Sequence, residues 1–172
     1  SNYLDCPLRF YFQCLIRVPS GKSPSATFGS AAHDALKRAF RSLKENDDEF
    51  PPTGLFMKDF RTYMFRNRDS FTKDEFKLRL DYGDKILPPY YELNTLSWNK
   101  IALVELSIKN IEVDGVPVKG SLDKVEFTGK QVTVVDYKTG KFRNAKEKLQ
   151  RPTNEKPNGG DYWRQAVFYK LL

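Results

Sequence analysis

Cysteine and histidine are scarce in this sequence. Its 172 residues include two cysteines, Cys6 and Cys14, and a single histidine, His33. Two cysteines are too few for a disulfide framework, which favours a reducing, cytoplasmic compartment. Cys6 therefore has two interpretations: a thiol packed in the core, or one ligand of a cluster whose other ligands lie outside this sequence.

Long apolar runs are absent as well. No stretch approaches the roughly 18 apolar residues that a membrane span requires, and no charged-then-apolar leader resembles a signal peptide. The sequence opens on Ser1-Asn2 rather than methionine, and it stops at Leu172 within a predicted helix. We therefore expect a single domain over residues 1–172, cut from a longer protein and truncated at its C-terminal end, with no membrane partner.

The composition supports a folded, basic domain. Hydrophobic residues make up 40% and aromatic residues 14% of the chain, which is enough for a core. The formal net charge is +7, and the isoelectric point is about 9.3. Such a charge favours an anionic partner, with nucleic acid first, although many soluble domains are basic for solubility alone.

The first half of the chain is predicted to be helical. Aromatic residues near the start predict a packed N-terminal segment with a short helix around 7–15; they are Tyr3, Phe10, Tyr11 and Phe12. The stretch 19–25 is rich in turn-forming residues and predicts a loop. Apolar residues with helical spacing then predict a helix over 27–46.

Two more helical regions are predicted, over 53–71 and 72–93. The second begins with Thr72 as its N-cap, because a glutamate follows at the spacing of a capping box. Pro88 and Pro89 are expected to interrupt this helix, since proline removes a helical hydrogen bond and clashes with the preceding turn.

The pattern changes to strands near residue 100. Alternation of apolar and polar residues predicts a half-buried strand through Ala102 and Ile108, and Asp114-Gly115 predicts a hairpin turn. The predicted strands cover about 100–113, 116–128 and 131–138, followed by a basic loop over 140–158 and a helix from Gly159-Gly160-Asp161 to Leu172. Three strands joined by tight turns predict an antiparallel meander in an α/β domain.

Two carboxylates interrupt the apolar faces of neighbouring strands. Asp123 shares a face with Val125, and Asp136 shares a face with Val134 and Lys138, because side chains alternate along a strand. Burying an unpaired carboxylate is costly, and Mg²⁺ or Mn²⁺ would compensate it. Lys138 could then hold the attacking water or stabilise charge on the reacting phosphate. A salt-bridged pair at a sheet edge is the structural alternative for Asp136 and Lys138.

Other candidates each allow two interpretations. Glu105 is either a solvent-facing strand residue or a third carboxylate that binds metal directly or through water. His33 is either a packing or surface residue or a metal ligand, and Mn²⁺ accepts imidazole better than Mg²⁺ does. Gln165 and Tyr169 share one helix face. They are either ordinary polar residues at the rim of the helix or groups that contact a nucleobase. The basic loop is either a solvated lid or a phosphate-contacting surface.

The ordered motifs resemble the RecB-like nucleases of the PD-(D/E)XK superfamily, as in RecBCD- and AddAB-type helicase–nucleases and CRISPR-associated nucleases. The motifs are Cys6-Pro-Leu-Arg-Phe-Tyr11 within an opening segment from Ser1 to Phe12, Phe28-Gly-Ser-Ala-Ala-His33, the strand residue Glu105, Gly120-Ser-Leu-Asp123, Asp136-Tyr-Lys-Thr-Gly140 and Gln165-Ala-Val-Phe-Tyr169. The Asp-Tyr-Lys-Thr-Gly motif by itself is fairly specific for this superfamily, and the complete set of motifs in this order is a strong match to it.

This resemblance implies a restriction-endonuclease-like core, with a central mixed sheet that contains the meander and is flanked by helices. It also implies roles for individual residues. Metal ligands would be His33, Asp123, Asp136 and the Tyr137 carbonyl; catalysis would use Lys138, Asp136, Asp123 and Glu105; Gln165 and Tyr169 would shape the DNA-binding wall. Independently of the resemblance, the basic loop predicts DNA contacts from Lys141 and Arg143.

The implied activity is that of a Mg²⁺- or Mn²⁺-dependent deoxyribonuclease. We expect the substrate to be single-stranded DNA. We also expect a helicase, either attached to this domain or bound as a partner, and a role in DNA repair or recombination. One alternative is a catalytically inactive nucleic-acid-binding scaffold in a repair complex, and another is a hydrolase of a different substrate.

Two departures from the family pattern stand out. Lys124 follows Asp123 where arginine is frequent, and little effect on function is expected from this change. No cysteines follow the last predicted helix, where iron–sulfur members of the family carry three, so such a cluster could form only in a longer chain.

Overall fold

The computed structural model describes Tyr3, residues 6–19, Gly21 and residues 23–172. The helices are α1 (Pro7–Phe10), α2 (Pro24–Glu45), α3 (Thr53–Arg66), α4 (Lys73–Thr95), α5 (Phe142–Lys148) and α6 (Asp161–Tyr169). The strands are β1 (Ala102–Val113), β2 (Val116–Thr128) and β3 (Gln131–Val135). Within the described part of the chain, no helix is both long and apolar enough to cross a bilayer.

The strands form the predicted antiparallel meander, in the order β1-β2-β3. Asp114 and Gly115 make the first turn with positive φ angles of 49° and 76°, as the sequence predicted. Val125 on β2 lies opposite Leu103 on β1 and Val134 on β3. The prediction of an α/β domain with helices flanking a meander is confirmed, and all strand pairs that the structure describes are antiparallel.

Helix α2 carries the buried apolar stripe that the sequence predicted. It begins earlier than residue 27, because the Ser23 side chain accepts a hydrogen bond from the Ala26 N–H at 3.2 Å and Pro24 suits a first helical position. Phe40 and Leu43 form a small core cluster with Ala102 of β1. Helix α2 is thereby anchored to the sheet.

Aromatic packing fixes α2, α3 and α4 as one layer. Phe28 of α2 meets Phe60 of α3 edge-to-face, with ring centroids 5.6 Å apart. Phe56 of α3 stacks on Tyr91 of α4 at 4.2 Å, and the Tyr91 hydroxyl donates to the Pro51 carbonyl at 2.7 Å. This packing holds α2, and with it the candidate histidine, in a fixed position.

Pro88 and Pro89 do not interrupt the third predicted helix. Helix α4 runs from Lys73 to Thr95 with both prolines inside it. Leu87 and Tyr91 on either side of the prolines are buried, so packing against the core outweighs the lost hydrogen bonds. The Thr72 capping box is present as predicted, with Glu75 as its acidic partner.

Other element boundaries also differ from prediction. The region 53–71 ends in a separate 3₁₀ turn, Arg68–Ser70. Strand β3 stops at Val135 instead of 138, because the Tyr137 N–H donates to the Asp123 carboxylate instead of extending the ladder. The basic loop contains helix α5.

The N-terminal segment is helical, but its aromatic residues are not packed in the core. Helix α1 continues into a π-helical turn, Tyr11–Leu15, while Tyr3, Tyr11 and Phe12 are 56%, 47% and 45% exposed. These rings contact one another instead: Tyr3 with Phe10, and Tyr11 with Phe12. Residues 1, 2, 4, 5, 20 and 22 of the predicted opening segment and loop lie outside the described residues.

Candidate functional site

The site begins where the loop after β3 meets helix α2. Gly29, one turn before His33, lies so close to this loop that a Cβ atom there would be 3.1 Å from the Thr139 hydroxyl oxygen. The small residue therefore lets the loop approach the helix closely. As a result, His33 lies beside the backbone of Tyr137.

His33, Tyr137 and Asp123 form a closed set of contacts. The His33 Nε2 donates to the Tyr137 carbonyl at 2.9 Å, and its Nδ1 lies 3.4 Å from Asp123 Oδ1. The Tyr137 N–H donates to Asp123 Oδ2 at 2.9 Å. Because a carbonyl can only accept, Nε2 carries a proton, and a second proton on Nδ1 would face the carboxylate.

These contacts shift both groups toward their charged forms. The hydrogen bond with Asp123 raises the pKa of His33, against the opposing effect of burial, and the charge of Glu105 adds to the rise. Burial alone would raise the pKa of Asp123, but the hydrogen bonds from His33 and the Tyr137 backbone hold that pKa below its usual value. Each shift therefore stabilises the charged form of its group, as expected for a histidine and a carboxylate in contact.

Glu105 lies close to His33 and Asp123 and has an unusual backbone conformation. Its φ angle is 51°, in a region that side-chain-bearing residues seldom adopt. Val104 pairs with Lys124 and Leu106 pairs with Leu122, so Glu105 stands across the strands from Asp123. One ligand atom from each of His33, Glu105 and Asp123 lies within 4.8 Å of the others. Two carboxylates and an imidazole at this spacing fit a divalent cation.

An open groove of about 580 Å³ surrounds these three side chains. Helix α2 forms one wall, with Ser30 and Lys37 beside His33, and Tyr63 of α3 extends it. Lys37 and Tyr63 were not predicted as site residues. Lys37 lies one helical turn after His33, and that spacing could have identified it. The groove therefore offers a cation and an aromatic ring next to the candidate metal ligands.

Asp136 has a different set of partners from Asp123. Its carboxylate forms an ion pair with Lys138, and it accepts hydrogen bonds from Gln165 Nε2 at 3.1 Å and from the Tyr169 hydroxyl at 2.9 Å. Lys138 Nζ also donates to Gln165 Oε1 at 2.8 Å. The structure thus brings the predicted Asp136, Lys138, Gln165 and Tyr169 together, beside the cluster of His33, Glu105 and Asp123.

Tyr169 acts as a donor in this network. Burial, followed by its hydrogen bond to Asp136, raises the pKa of Tyr169 well above its usual value. The phenol therefore stays protonated and donates to the carboxylate, while Gln165 Nε2 donates to the phenol oxygen. Of the predicted DNA-contacting cations, Lys141 and Arg143 are both exposed at the start of α5.

Lys124 is the most buried charged residue among those that the structure describes. The residue is 1% exposed, and its Nζ lies 2.7 Å from Glu126 Oε1. The same ammonium stands 4.8 Å from the Phe40 ring centre and 5.6 Å from that of Tyr137. Because Tyr137 holds both His33 and Asp123, this buried cation supports the backbone of the site.

Comparison with known proteins agrees with the motifs. The whole chain, residues 1–172, matches the family model described as the PD-(D/E)XK nuclease superfamily. No curated protein and no solved structure gave a significant match. The superfamily predicted from the motifs is therefore confirmed, and the RecB-like subtype stays a prediction.

Proposed function

Because the chain belongs to the PD-(D/E)XK nuclease superfamily, we propose that it is a Mg²⁺- or Mn²⁺-dependent deoxyribonuclease that hydrolyses phosphodiester bonds. The observation that supports this most directly is the cluster of His33, Glu105 and Asp123, whose ligand atoms lie within 4.8 Å of one another. A purely structural sheet end has little use for two carboxylates, an imidazole and the neighbouring Lys138.

In this proposal His33, Glu105, Asp123 and Asp136 hold the cation. When bound, the cation would lower the pKa of a water molecule and polarise the phosphate. The Tyr137 carbonyl accepts a hydrogen bond from His33 and keeps a second lone pair, so it could supply a further oxygen to the cation. Gln165 and Tyr169 orient Asp136 through their hydrogen bonds.

Lys138 is the proposed catalytic lysine. Its ammonium already contacts the Asp136 carboxylate and the Gln165 amide oxygen, so it is held beside the reacting centre. A cation fixed at this place would stabilise the negative charge that builds up on the phosphate during attack. Lys37 in the groove would bind a phosphate of the same strand.

The cleavage assay uses labelled single-stranded DNA with Mg²⁺ or Mn²⁺, and with EDTA as a control. We expect Lys138→Ala and Asp136→Ala each to lower the cleavage rate by ~100-fold or more, since each removes a preorganised charge. Lys130→Ala, in the exposed turn between β2 and β3, is the matched control and should cleave like the wild type. Full activity of either site variant would contradict the assignment.

Metal binding is measured separately by calorimetry with Mn²⁺. His33→Ala should bind Mn²⁺ more weakly, and the wild-type affinity should rise as pH increases through the raised pKa of His33, because the proton competes with the metal. The same rise should be smaller in the variant. An unchanged Mn²⁺ affinity would remove His33 from the ligand set.

A catalytically inactive nucleic-acid-binding scaffold is the second candidate. The observation that favours it is the direct ion pair between Lys138 and Asp136, which satisfies both groups without a metal. This candidate predicts strand binding without any metal-dependent cleavage. For either function we propose a cytoplasmic setting in DNA repair or recombination, with single-stranded DNA and an attached or partner helicase.

A further inference from the structure

A second pocket, which shares no lining residue with the groove around His33, is lined in part by Lys138. It has a volume of about 280 Å³, and its walls are mainly apolar: Val134, Ala145, Leu149 and Ala166. Its polar lining comes from Asp136, Lys138 and Gln165. Leu149 is 55% exposed, so this apolar wall faces solvent next to a charged site.

Two helices build this pocket in a defined geometry. Ala145 and Leu149 lie one turn apart along α5 and its end, and Tyr162 and Ala166 lie one turn apart on α6, so each pair shares a face. The two helices are joined tightly, because a Cβ atom on Gly160 would lie 2.2 Å from the Lys148 carbonyl oxygen. The Gly160 N–H also donates to the Gln150 carbonyl at 2.9 Å.

Tyr162 is one of two tyrosines that line the pocket; the other is Tyr169, whose hydroxyl donates to Asp136. The Tyr162 ring is half-buried and has the ammonium of Lys138 4.8 Å from its centre and that of Lys148 5.1 Å away. A flat ring beside an apolar wall fits a nucleobase, once the two ammonium groups that lie over the ring turn to the phosphates on either side of that base. A nucleotide combines both chemical features in one ligand.

The segment around α5 is positively charged, as binding of a nucleic-acid strand requires. Helix α5 and its flanks carry Lys141, Arg143, Lys146, Lys148 and Arg151, all exposed. Glu147 is the one carboxylate between Lys141 and Arg151 in the sequence. In a duplex the bases are paired and stacked inside the helix, so a base can enter a side pocket only from an unpaired strand.

We propose that this pocket, here called the Tyr162 pocket, binds one unpaired nucleobase of the strand next to the phosphate that is cut. The inference rests on the proposed nuclease function and adds to it a reason for single-strand preference. Tyr162 supplies the stacking surface, and Lys138 connects the pocket to the reacting phosphate.

The test compares two strands with identical phosphates. One is an ordinary oligonucleotide, and the other has the same length but carries no bases on its sugars. Affinities are measured by fluorescence anisotropy in EDTA, so that no cleavage occurs. We expect Tyr162→Ala to weaken binding of the ordinary strand by roughly 5- to 100-fold, as for loss of one base stack. Binding of the base-free strand should not change.

Three further variants sharpen this test. Tyr162→Phe should keep wild-type affinity, because its ring still stacks. Ala145→Trp should fill the pocket and weaken only the ordinary strand, even if Tyr162→Ala disturbs the local fold. Tyr11→Ala, an exposed tyrosine in the N-terminal π-helical turn, is the matched control and should bind both strands like the wild type.

The outcomes separate the two proposals. If Tyr162→Ala and Ala145→Trp weaken the two strands equally, or weaken neither, the pocket does not bind a base, whatever the cleavage assay shows. If the base-dependent loss is seen but the wild type cuts no strand with Mg²⁺ or Mn²⁺, the pocket is supported and the nuclease function is rejected. A duplex should show no dependence on Tyr162.

Discussion

Lys124 shows how a single residue can couple the core to the site. A buried ammonium is costly unless it is paired, and here the Glu126 carboxylate and three aromatic rings compensate it. The rings are those of Phe40, Trp98 and Tyr137, with centres 4.8, 5.2 and 5.6 Å from the Nζ atom. The backbone of Tyr137 is hydrogen-bonded to both His33 and Asp123. Loss of the Lys124 ammonium should therefore disturb the positions of these two residues.

We predict that Lys124→Met lowers the free energy of unfolding by about 2–4 kcal/mol, because Glu126 would be left as a partly buried, unpaired carboxylate. The double variant Lys124→Met with Glu126→Leu should recover most of this loss, since an apolar pair removes the unpaired charge. Urea unfolding followed by circular dichroism measures all three proteins.

Lys119→Met is the control for this prediction. Lys119 is also on β2 but is exposed, and surface substitutions usually change stability by less than about 0.5 kcal/mol. If Lys124→Met is as stable as this control, the buried cation is dispensable. If the double variant is no better than the single one, Glu126 is not its partner.

At the scale of helices, the glycines of α3 and α4 differ in the space around them. Gly83 lies inside α4 where a Cβ atom would be 2.4 Å from the Phe60 ring, and Phe60 is fully buried. Gly54, in the first turn of α3, has no atom within 4 Å of such a Cβ position. Helix α4 therefore needs a glycine to pack, whereas α3 does not.

We predict that Gly83→Ala destabilises the protein by about 1–3 kcal/mol, because overpacking against a buried ring exceeds the gain in helix propensity. Gly54→Ala should be neutral or stabilising by up to ~1 kcal/mol. Thermal and urea unfolding of the two variants provide the comparison. Equal effects of the two substitutions would show that propensity, not packing, governs both positions.

The helices and strands show which structural signals are local. The Thr72 capping box and the Asp114-Gly115 turn were predictable, because their hydrogen bonds form within a few residues of the sequence. The continuity of α4 through Pro88 was not predictable, since burial of Leu87 and Tyr91 decides it. The end of β3 was not predictable either, because it depends on a hydrogen bond from Tyr137 to a carboxylate on another strand.

The candidate site was predictable to a similar degree. Strand alternation placed Asp136 and Lys138 on one face, and the family resemblance assigned Gln165 to the DNA-binding wall; the structure brings the three into contact. Glu105 was left with two interpretations, because its positive φ angle has no signature in a sequence of alternating residues. Tyr162 was missed, although it shares the helix face of Gln165 and Tyr169.

Across the whole molecule, the two pockets are lined by neighbouring residues of one segment: Thr139 lines the groove around His33, and Asp136 and Lys138 line the Tyr162 pocket. The groove with His33 opens along α2, and the Tyr162 pocket opens between α5 and α6. A strand that passes from one to the other would run beside Lys138. The basic residues of α5 would therefore contribute more to DNA binding than equally charged residues elsewhere.

Salt dependence tests this distribution of charge. With a net charge of +7, affinity for a single strand should fall as salt rises, with a slope of about 0.7 per phosphate contacted. We predict that Lys141→Gln with Arg143→Gln lowers the log–log slope by about 1.4, as expected for two lost contacts. The control, Lys58→Gln with Lys77→Gln, changes exposed lysines of α3 and α4 and should leave the slope unaltered. Equal losses in both double variants would mean that total charge, not the segment around α5, attracts the strand.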